Sequence, residues 1–410
     1  MSRHRKRIGF GEPDVSTRLV EAVASHATTL HGWEDLDPLL ERIGTARYVL
    51  LGEASHGTAE YYDWRRAISQ RLIREKGFSF IAVEGDWPDC YRVTRYVKGF
   101  DGSAQTGREA AHAFRRWPTW MWANDEAVSL LEWLRQQNVR LPETRRVGFY
   151  GLDVYSLWDS MHAVLEYLEH TDGNAATAAR RAFECFEPYG EDVQEYARAT
   201  LWVPTSCEDE VVDMLRALRS QRPRGTPADR EEFFDAEQNA LVAANAEKYY
   251  RAMVRGDAES WNVRDTHMAE TLDRLMAHHG ADAKAIVWAH NTHIGDARHT
   301  DMAASGMVNI GQLVRERHAA EGVVLVGFSS HRGSVIAGEA WDAPMRSITV
   351  PPAREASWED VLHRAGGDDK LLIFDKLDPS QDREMFDERG HRAIGVVYRP
   401  EIESFGNYVP

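Results

Sequence analysis

Cysteine is scarce in this sequence of 410 residues, which contains only Cys90, Cys185 and Cys207. No CxxC motif is present, and three widely spaced thiols are too few and too scattered for a disulfide framework or a zinc ribbon. Such sparse cysteine usage is typical of proteins in a reducing compartment. The cysteine content therefore predicts a cytoplasmic protein.

Long apolar runs and an excess of basic charge are also absent. No run of about 18 apolar residues occurs, and the basic first residues, MSRHRKRIGFGEPD, precede no apolar core, so we expect neither a transmembrane helix nor a signal peptide. The 49 basic residues are outnumbered by 65 acidic ones, giving a net charge of −16. This charge repels nucleic acid and anionic membranes. A small molecule is the expected partner, and the oligomeric state is left open.

Short apolar runs rich in β-forming residues alternate with longer helical patterns along the chain. These runs are Arg47–Leu51, Phe78–Val83, Val147–Tyr150, Ala285–Trp288, Val323–Phe328, Leu371–Phe374 and Ala393–Tyr398. The alternation predicts an α/β fold with a mainly parallel central sheet flanked by helices. Residues 157–280 contain no convincing strand and are predicted to form an inserted helical lobe. It would separate a first part of the α/β core, 1–156, from a second part, 281–410.

Residues suited to catalysis or to substrate binding follow four of the predicted strands. They are Glu53 and His56 after the first strand, Glu84 and Trp87 after the second, Asp153 after the third, and His290, Asn291 and His293 after the fourth run in chain order. Ligands bind at the carboxyl ends of the strands in open α/β sheets, so we expect these residues to converge. The alternative for any one of them is a turn former or a helix cap. Glu84 is the most informative, because neither a turn nor a cap requires glutamate directly after SFIAV.

Arg65 provides an independent signal. It shares a helical face with Tyr61, Ile68 and Leu72, and this face should pack inward. A guanidinium group that is buried there needs an acceptor, which one of the two strand-end glutamates would supply at the site. The alternative is that Arg65 extends to the edge of the helix and stays solvated.

The tryptophans of the segment RRWPTWMWAN suggest a place for a bulky apolar ligand. Trp117, Trp120 and Trp122 are expected to line a cleft and to bind substrate together with the strand-end residues Trp87, Asp153 and Asn291. Tryptophans at this spacing equally serve as packing residues, which is the alternative.

Several segments in these regions resemble the erythromycin esterase family, whose members include macrolide-inactivating esterases and relatives of unknown substrate. The matching segments are GEASHG at Gly52–Gly57, VEGDWPDCYRVTRYV at Val83–Val97, FRRWPTWMWAN at Phe114–Asn124, YGLDVYSLW at Tyr150–Trp158, WNVRDTHMAE at Trp261–Glu270, WAHNTHIGD at Trp288–Asp296 and NIGQLVRER at Asn309–Arg317. Arg65 also matches, nine residues beyond His56. The resemblance extends over most of Arg47–Tyr398.

The resemblance implies an α/β core with a helical lobe, and an active-site set that includes His56 as the catalytic base. The other positions that match this set are Glu53, Arg65, Glu84, His290 and His293. It also implies antibiotic inactivation as one activity within the family, and a reaction that needs no essential metal or other cofactor.

The sequence lacks the usual serine nucleophile, because GFSSH at Gly327–His331 does not complete a GxSxG motif. Water is therefore the expected nucleophile for hydrolysis of an ester or lactone. We predict that His56 accepts its proton, that Glu53 or Glu84 orients the imidazole, and that His290 and Arg65 stabilise the oxyanion or the leaving group.

Two alternatives remain open from the residues alone. The imidazoles and carboxylates of the set would also suit a divalent metal and thus a metal-dependent hydrolase, although HxxH after a strand is a weak metal motif. A protein that binds a small ligand, haem or metal without turnover could use the same cleft. The joint presence of a base, two carboxylates and an inward arginine favours the enzyme.

Overall fold

The computed structural model describes residues 14–190, 193–202, 206–221, 226–256 and 258–409. The basic N-terminal segment, in which no signal peptide is expected, lies outside this part of the chain, apart from its last residue. None of the helices in these ranges is long and apolar enough to cross a membrane.

The strands are short, as is usual for α/β proteins. They are β1 (Thr28–Leu30), β2 (Tyr48–Leu51), β3 (Phe80–Asp86), β4 (Gly148–Asp153), β5 (Ala285–Trp288), β6 (Val323–Val326), β7 (Gly333–Ala337), β8 (Arg346–Val350), β9 (Asp369–Leu371), β10 (His391–Arg392) and β11 (Tyr408–Val409).

The α-helices account for most of the chain between these strands. They are α1 (Thr17–His26), α2 (Asp37–Ile43), α3 (Ala59–Lys76), α4 (Trp87–Lys98), α5 (Gly107–Ala111), α6 (Asp125–Asn138), α7 (Leu157–Thr171), α8 (Ala176–Phe186), α9 (Val193–Ala199), α10 (Glu208–Ser220), α11 (Pro227–Met253), α12 (Glu259–His279), α13 (Asn291–Ile294), α14 (Asp301–Ala304), α15 (Ile310–His318), α16 (Trp358–Arg364) and α17 (Glu403–Gly406).

Two compact units are formed by these elements. The described residues of Met1–Gly44, Glu53–Thr58 and Phe328–Pro410 make the first unit, and those of Thr45–Gly52 and Ala59–Gly327 make the second.

The second unit is built around a five-stranded sheet with the order β4-β3-β5-β2-β6, in which all neighbours are parallel. Every residue of β2, β3, β4 and β5 is buried. Continuous burial of this kind is expected when helices cover both faces of a parallel sheet. The structure confirms the predicted α/β fold, and the first five apolar runs contribute its five strands.

Helices α7 to α12 follow β4 without an intervening strand among the described residues. Within this stretch, α7, α8, α10 and α11 share a hydrophobic cluster that includes Met161, Phe186, Met214 and Ala240. A different cluster joins α12 to the sheet, where Leu272 packs with sheet residues such as Leu50. The stretch thus supplies its own core as well as a cover for the sheet.

A disulfide joins Cys185 of α8 to Cys207, which directly precedes α10. Three widely spaced cysteines without a CxxC motif did not predict this pair. The two residues are 22 positions apart in the sequence, and the packing of α8 on α10 brings their Cα atoms to 5.9 Å. Cys90 is free and buried.

The first unit contains the last two predicted runs, and neither forms a strand of the main sheet. Leu371–Phe374 contributes only its first residue to β9, which pairs with β1 in antiparallel fashion. Ala393–Tyr398 forms isolated bridges through Ile394 and Val397. The prediction of sheet strands there was wrong, because an apolar run does not specify a pairing partner. Strands β7 and β8 form an antiparallel hairpin in the same unit.

Candidate active site

Three carboxylates meet at the carboxyl ends of β3 and β4 in the second unit. Asp86 is in register with Asp153, and the pairing of the two strands is irregular between Val83 and Asp86. A Cβ atom at Gly151 would lie 2.4 Å from the carbonyl oxygen of Gly85, so the strands approach each other too closely for any larger residue. Glu84, in the irregular stretch, is buried with them at this edge.

Glu84 is held at both of its carboxylate oxygens. The backbone N–H of His290 donates to Oε2 at 2.8 Å, and Arg264 Nη2 donates to Oε1 at 2.7 Å. The indole of Trp122 donates to the Glu84 carbonyl oxygen at 3.0 Å. Charge-assisted bonds of this kind favour the ionised carboxylate.

Arg264 of α12 connects the carboxylates of the two strands. Its Nε and Nη2 donate to the two oxygens of Asp153 at 2.9 and 2.7 Å, and its Nη1 lies 2.9 Å from Nε2 of His293. Burial by itself would raise the pKa of Asp153, but Arg264 outweighs this effect and lowers it. Asp153 therefore orients the guanidinium of Arg264, which also pairs with Glu84.

His293 is enclosed on all its polar sides. Its Nδ1 donates to Asp265 at 2.9 Å, and its ring stacks on Trp261 with centroids 4.5 Å apart. Burial lowers the pKa of His293, as does Arg264, whereas Asp265 and Glu84 raise it, with a net value of about 9. The residue is 2% exposed. In this environment His293 is suited to hold the position and charge of Glu84.

His290 and Asn291 lie at the start of α13, directly beyond β5. The Nδ1 atom of His290 lies 2.9 Å from the Thr292 hydroxyl oxygen. The amide of Asn291 occupies the space beside Gly52, where an added Cβ atom would lie 2.0 Å from its Oδ1. Asn291 therefore determines how closely the end of β2 approaches α13.

Arg65 is buried on the inward face of α3, as the helical spacing predicts. Its Cζ atom lies 4.5 Å from the ring centroid of Tyr62 and 4.6 Å from that of Trp288, the last residue of β5. Aromatic faces stabilise a desolvated guanidinium by about 2 kcal/mol or more. The cation of Arg65 thus lies beside Trp288 at the end of β5. Trp288 precedes His290 by two residues in the sequence.

The predicted tryptophans are mostly buried in this structure. Trp87 is buried, stacks on Tyr150 and donates to Asp235 at 2.8 Å. Trp120 and Trp122 are buried as well, and Trp117 is partly exposed. Trp122 still serves the site indirectly through its bond to the Glu84 carbonyl.

The first unit contains the pair formed by Glu53 and His56. Nδ1 of His56 lies 3.0 Å from Oε1 of Glu53, and the two side chains are 8% and 1% exposed. A carboxylate can only accept, so the bond places a hydrogen on Nδ1 and leaves Nε2 as the basic atom. The pair has the arrangement of an oriented general base.

The loop that carries this pair is fixed by backbone contacts within its own unit. Ile394 N–H donates to the Ala54 carbonyl at 2.7 Å, and Ile336 N–H donates to the Gly57 carbonyl at 2.9 Å. A Cβ atom at Gly57 would lie 1.9 Å from the Ile336 carbonyl oxygen, so the loop requires glycine there. These contacts limit the motion of His56.

No group of three or more histidine, cysteine, aspartate or glutamate side chains is placed to hold a metal ion in the described ranges. His293 illustrates the reason, because its two ring nitrogens face Asp265 and the guanidinium of Arg264. A cation beside a ring nitrogen opposes metal binding at that atom.

The sequence of this chain matches the model of a known protein family. The family model described as Erythromycin esterase matches residues 73–410. The chain belongs to the erythromycin esterase family. The matched range contains Glu84, Asp153, Arg264 and the two strand-end histidines, and it begins after Glu53 and His56. The family membership confirms the resemblance drawn from the sequence motifs.

Three known proteins are similar to this chain in sequence or in fold. A curated Escherichia coli protein named erythromycin esterase type II is 23% identical over 277 residues, 64% of each chain, so the match spans less than two thirds of that relative's length. A solved structure described as a succinoglycan biosynthesis protein is 21% identical, with a TM-score of 0.77 and coverage of 93% of this chain and 92% of that one. An erythromycin esterase mutant in its open conformation is 19% identical, with a TM-score of 0.63 and coverage of 82% and 84%. These structures support the shared fold.

Sequence reasoning missed two residues of this candidate site, Arg264 and Asp265. A signal was present, because these adjacent charged residues occur in a helical pattern whose later positions, such as Met268 and Leu272, are apolar and buried. A charged pair that continues an apolar helical face needs buried partners. Which partners it finds depends on the packing of α12 against β3 and β4.

Proposed function

We propose that this protein hydrolyses a carboxylic ester or lactone with a water molecule that His56 activates. The observation that carries the proposal is the buried pair in which Glu53 orients the imidazole at 3.0 Å. A base oriented by a carboxylate contributes about 10²- to 10⁴-fold to the rate of such reactions. Membership of the erythromycin esterase family supports the same reaction class.

The proposed reaction proceeds in two steps. The water oxygen attacks the carbonyl carbon while Nε2 of His56 accepts the water proton, which forms a tetrahedral oxyanion. The bond between carbon and the alcohol oxygen then breaks, and His56 returns the proton to the departing alkoxide. The products are a carboxylic acid and an alcohol, or a single hydroxy acid if the substrate is a lactone.

We assign the stabilisation of negative charge to His290 and Arg65. Both lie at the carboxyl end of β5, and the aromatic faces of Tyr62 and Trp288 keep the Arg65 cation away from water. Removing one donor from an oxyanion site costs about 10²- to 10³-fold in kcat. Glu84, Arg264 and His293 then act by fixing the backbone of His290, whose N–H donates to Glu84.

A macrolide lactone is the first substrate to test. The Escherichia coli relative carries the name of an erythromycin esterase, and we propose for this chain the same class of substrate, with antibiotic inactivation as the consequence. The tryptophan-rich segment near Trp117, which is partly exposed, is the proposed apolar contact for such a ligand.

Incubation with erythromycin and with a panel of simple esters and lactones, analysed by mass spectrometry for addition of water, tests the proposal. We expect His56→Ala and Glu53→Gln to lose at least about 10²-fold in kcat while their thermal unfolding stays close to that of the wild type. His162→Ala, which changes an exposed histidine on α7, is the matched control. Turnover by purified His56→Ala at the wild-type rate would refute the assignment of the base.

A further inference from the structure

Arg116 lies over the carboxyl ends of β3 and β4, in the segment between α5 and α6. Its Nε donates to Oδ2 of Asp86 at 2.6 Å, and Asp86 is the buried last residue of β3. This ion pair attaches one edge of the guanidinium to the sheet.

The face of the same guanidinium is fixed by Tyr155, two residues beyond β4. The Cζ atom of Arg116 lies 4.7 Å from the Tyr155 ring centroid, and Cζ of Arg264 lies 5.0 Å from the same centroid. The hydroxyl of Tyr250 donates to the Tyr155 carbonyl at 2.9 Å and so anchors this part of the chain. One aromatic ring therefore contacts both arginines at the strand ends.

The two arginines differ in what their remaining donors contact. The Arg264 side chain is 11% exposed and directs its nitrogens at Asp153, Glu84 and His293. The Arg116 side chain is 40% exposed, and apart from Asp86 its nitrogens reach only the Trp117 carbonyl, at 3.3 Å from Nη1. A guanidinium has five N–H groups, so three of those in Arg116 have no protein acceptor among the described residues.

We infer that Arg116 is a substrate-recognition residue that donates to a carbonyl or hydroxyl oxygen of an uncharged ligand. A cation that is held at one edge and one face, with its other edge open, is preorganised to donate hydrogen bonds. Its place at the strand ends is where ligands bind in this class of fold. The inference rests on the proposed function for its substrate class.

The surrounding charges favour a neutral ligand over an anion. Asp86 already neutralises Arg116, and Asp153 and Asp159 lie near enough to influence the ionisation of Asp86. The net charge of −16 adds a long-range repulsion of anions. An ester, a lactone or an alcohol avoids this repulsion and still offers acceptor oxygens.

Ligand binding can be measured without turnover in a His56→Ala background. Saturation-transfer NMR with erythromycin, γ-valerolactone and ethyl butyrate gives the dissociation constant of whichever probe binds most tightly. We expect Arg116→Gln to weaken this binding about 5- to 20-fold, as loss of one or two hydrogen bonds predicts. Arg116→Lys should recover part of the loss. Arg115→Gln, at the exposed neighbouring arginine, is the matched control and should leave binding unchanged.

The outcomes separate this inference from the proposed function. Equal binding by the Arg116→Gln and Arg115→Gln proteins would overturn the role of Arg116, as would failure of all three neutral probes to bind. Tighter binding of the corresponding hydroxy-acid anions than of the neutral probes would overturn the ligand class. Binding that depends on Arg116 in a protein whose wild type hydrolyses none of the probes would support the inference and contradict the proposed function.

Discussion

Arg264 offers a quantitative test of the network behind Glu84. We compare Arg264→Leu with Arg274→Leu, a change of the same kind on the same helix. Arg264 pairs at 2.7 Å with two carboxylates, Glu84 and Asp153, that are each at most 5% exposed. Arg274 forms a single pair at 3.2 Å with Glu270, one turn away, whose side chain is 42% exposed. Leucine and arginine have similar helix propensities, so the difference reports the ion pairs.

The expected magnitudes differ several-fold. Removing the partner of a buried carboxylate costs about 3–5 kcal/mol, because the remaining charge stays desolvated. An exposed pair at i, i+4 contributes about 0.3–0.5 kcal/mol. We therefore expect Arg264→Leu to lower the free energy of unfolding by about 3–5 kcal/mol, and Arg274→Leu by less than about 1 kcal/mol.

Urea unfolding followed by circular dichroism measures both changes, and the pH dependence identifies their origin. Arg264 lowers the pKa of Asp153. The pair of Arg264 with Asp153 therefore stabilises the fold at neutral pH, and this stabilisation is lost as acid protonates the carboxylate. The difference in unfolding free energy between the wild type and Arg264→Leu should thus shrink between pH 7 and about pH 4, because the unpaired carboxylates of the variant can bind protons. Equal losses for the two variants, or a deficit that does not change with pH, would refute the reasoning.

Three further outcomes follow from the geometry. Gly57→Ala should destabilise the protein by more than about 2 kcal/mol in thermal unfolding, because its Cβ atom would collide with the Ile336 carbonyl, whereas Gly395→Ala, with open space around it, should change little. The stabilising contribution of His293 should be complete below its unfolded pKa, near 6.5, and disappear as the pH rises through about 9. A stability difference between wild type and His293→Gln that stays constant from pH 6 to 9.5 would contradict this. Dialysis against EDTA should leave esterase activity unchanged, and a loss restored by zinc or manganese would favour the metal-dependent alternative.

The prediction of fold from sequence succeeded where burial alone specifies structure. The runs that became β2 to β6 are largely apolar and separated by long helical patterns, and a parallel sheet covered on both faces is the arrangement that buries such runs. The same reasoning failed for Leu371–Phe374 and Ala393–Tyr398. These segments are also apolar, but they are only partly buried and form a short antiparallel pair and isolated bridges, which apolar character does not distinguish from a sheet strand.

The chemical character of the strand ends was determined by the sequence itself. Glu53, Glu84, Asp153 and His290 each lie within a few residues of a strand end, and local order along the chain is enough to place them there. The pairing of Glu53 with His56 is also local, since three residues separate them.

Only the tertiary structure decided which cation serves which carboxylate. Arg264 lies 180 positions from Glu84 in the sequence, and Asp265 lies 28 positions from His293. Arg116 lies 30 positions from Asp86. The disulfide between Cys185 and Cys207 likewise depends on how α8 and α10 pack. Hydrogen bonds and ion pairs act over a few ångströms, so their partners are chosen by the packing of distant segments and not by the order of residues along the chain.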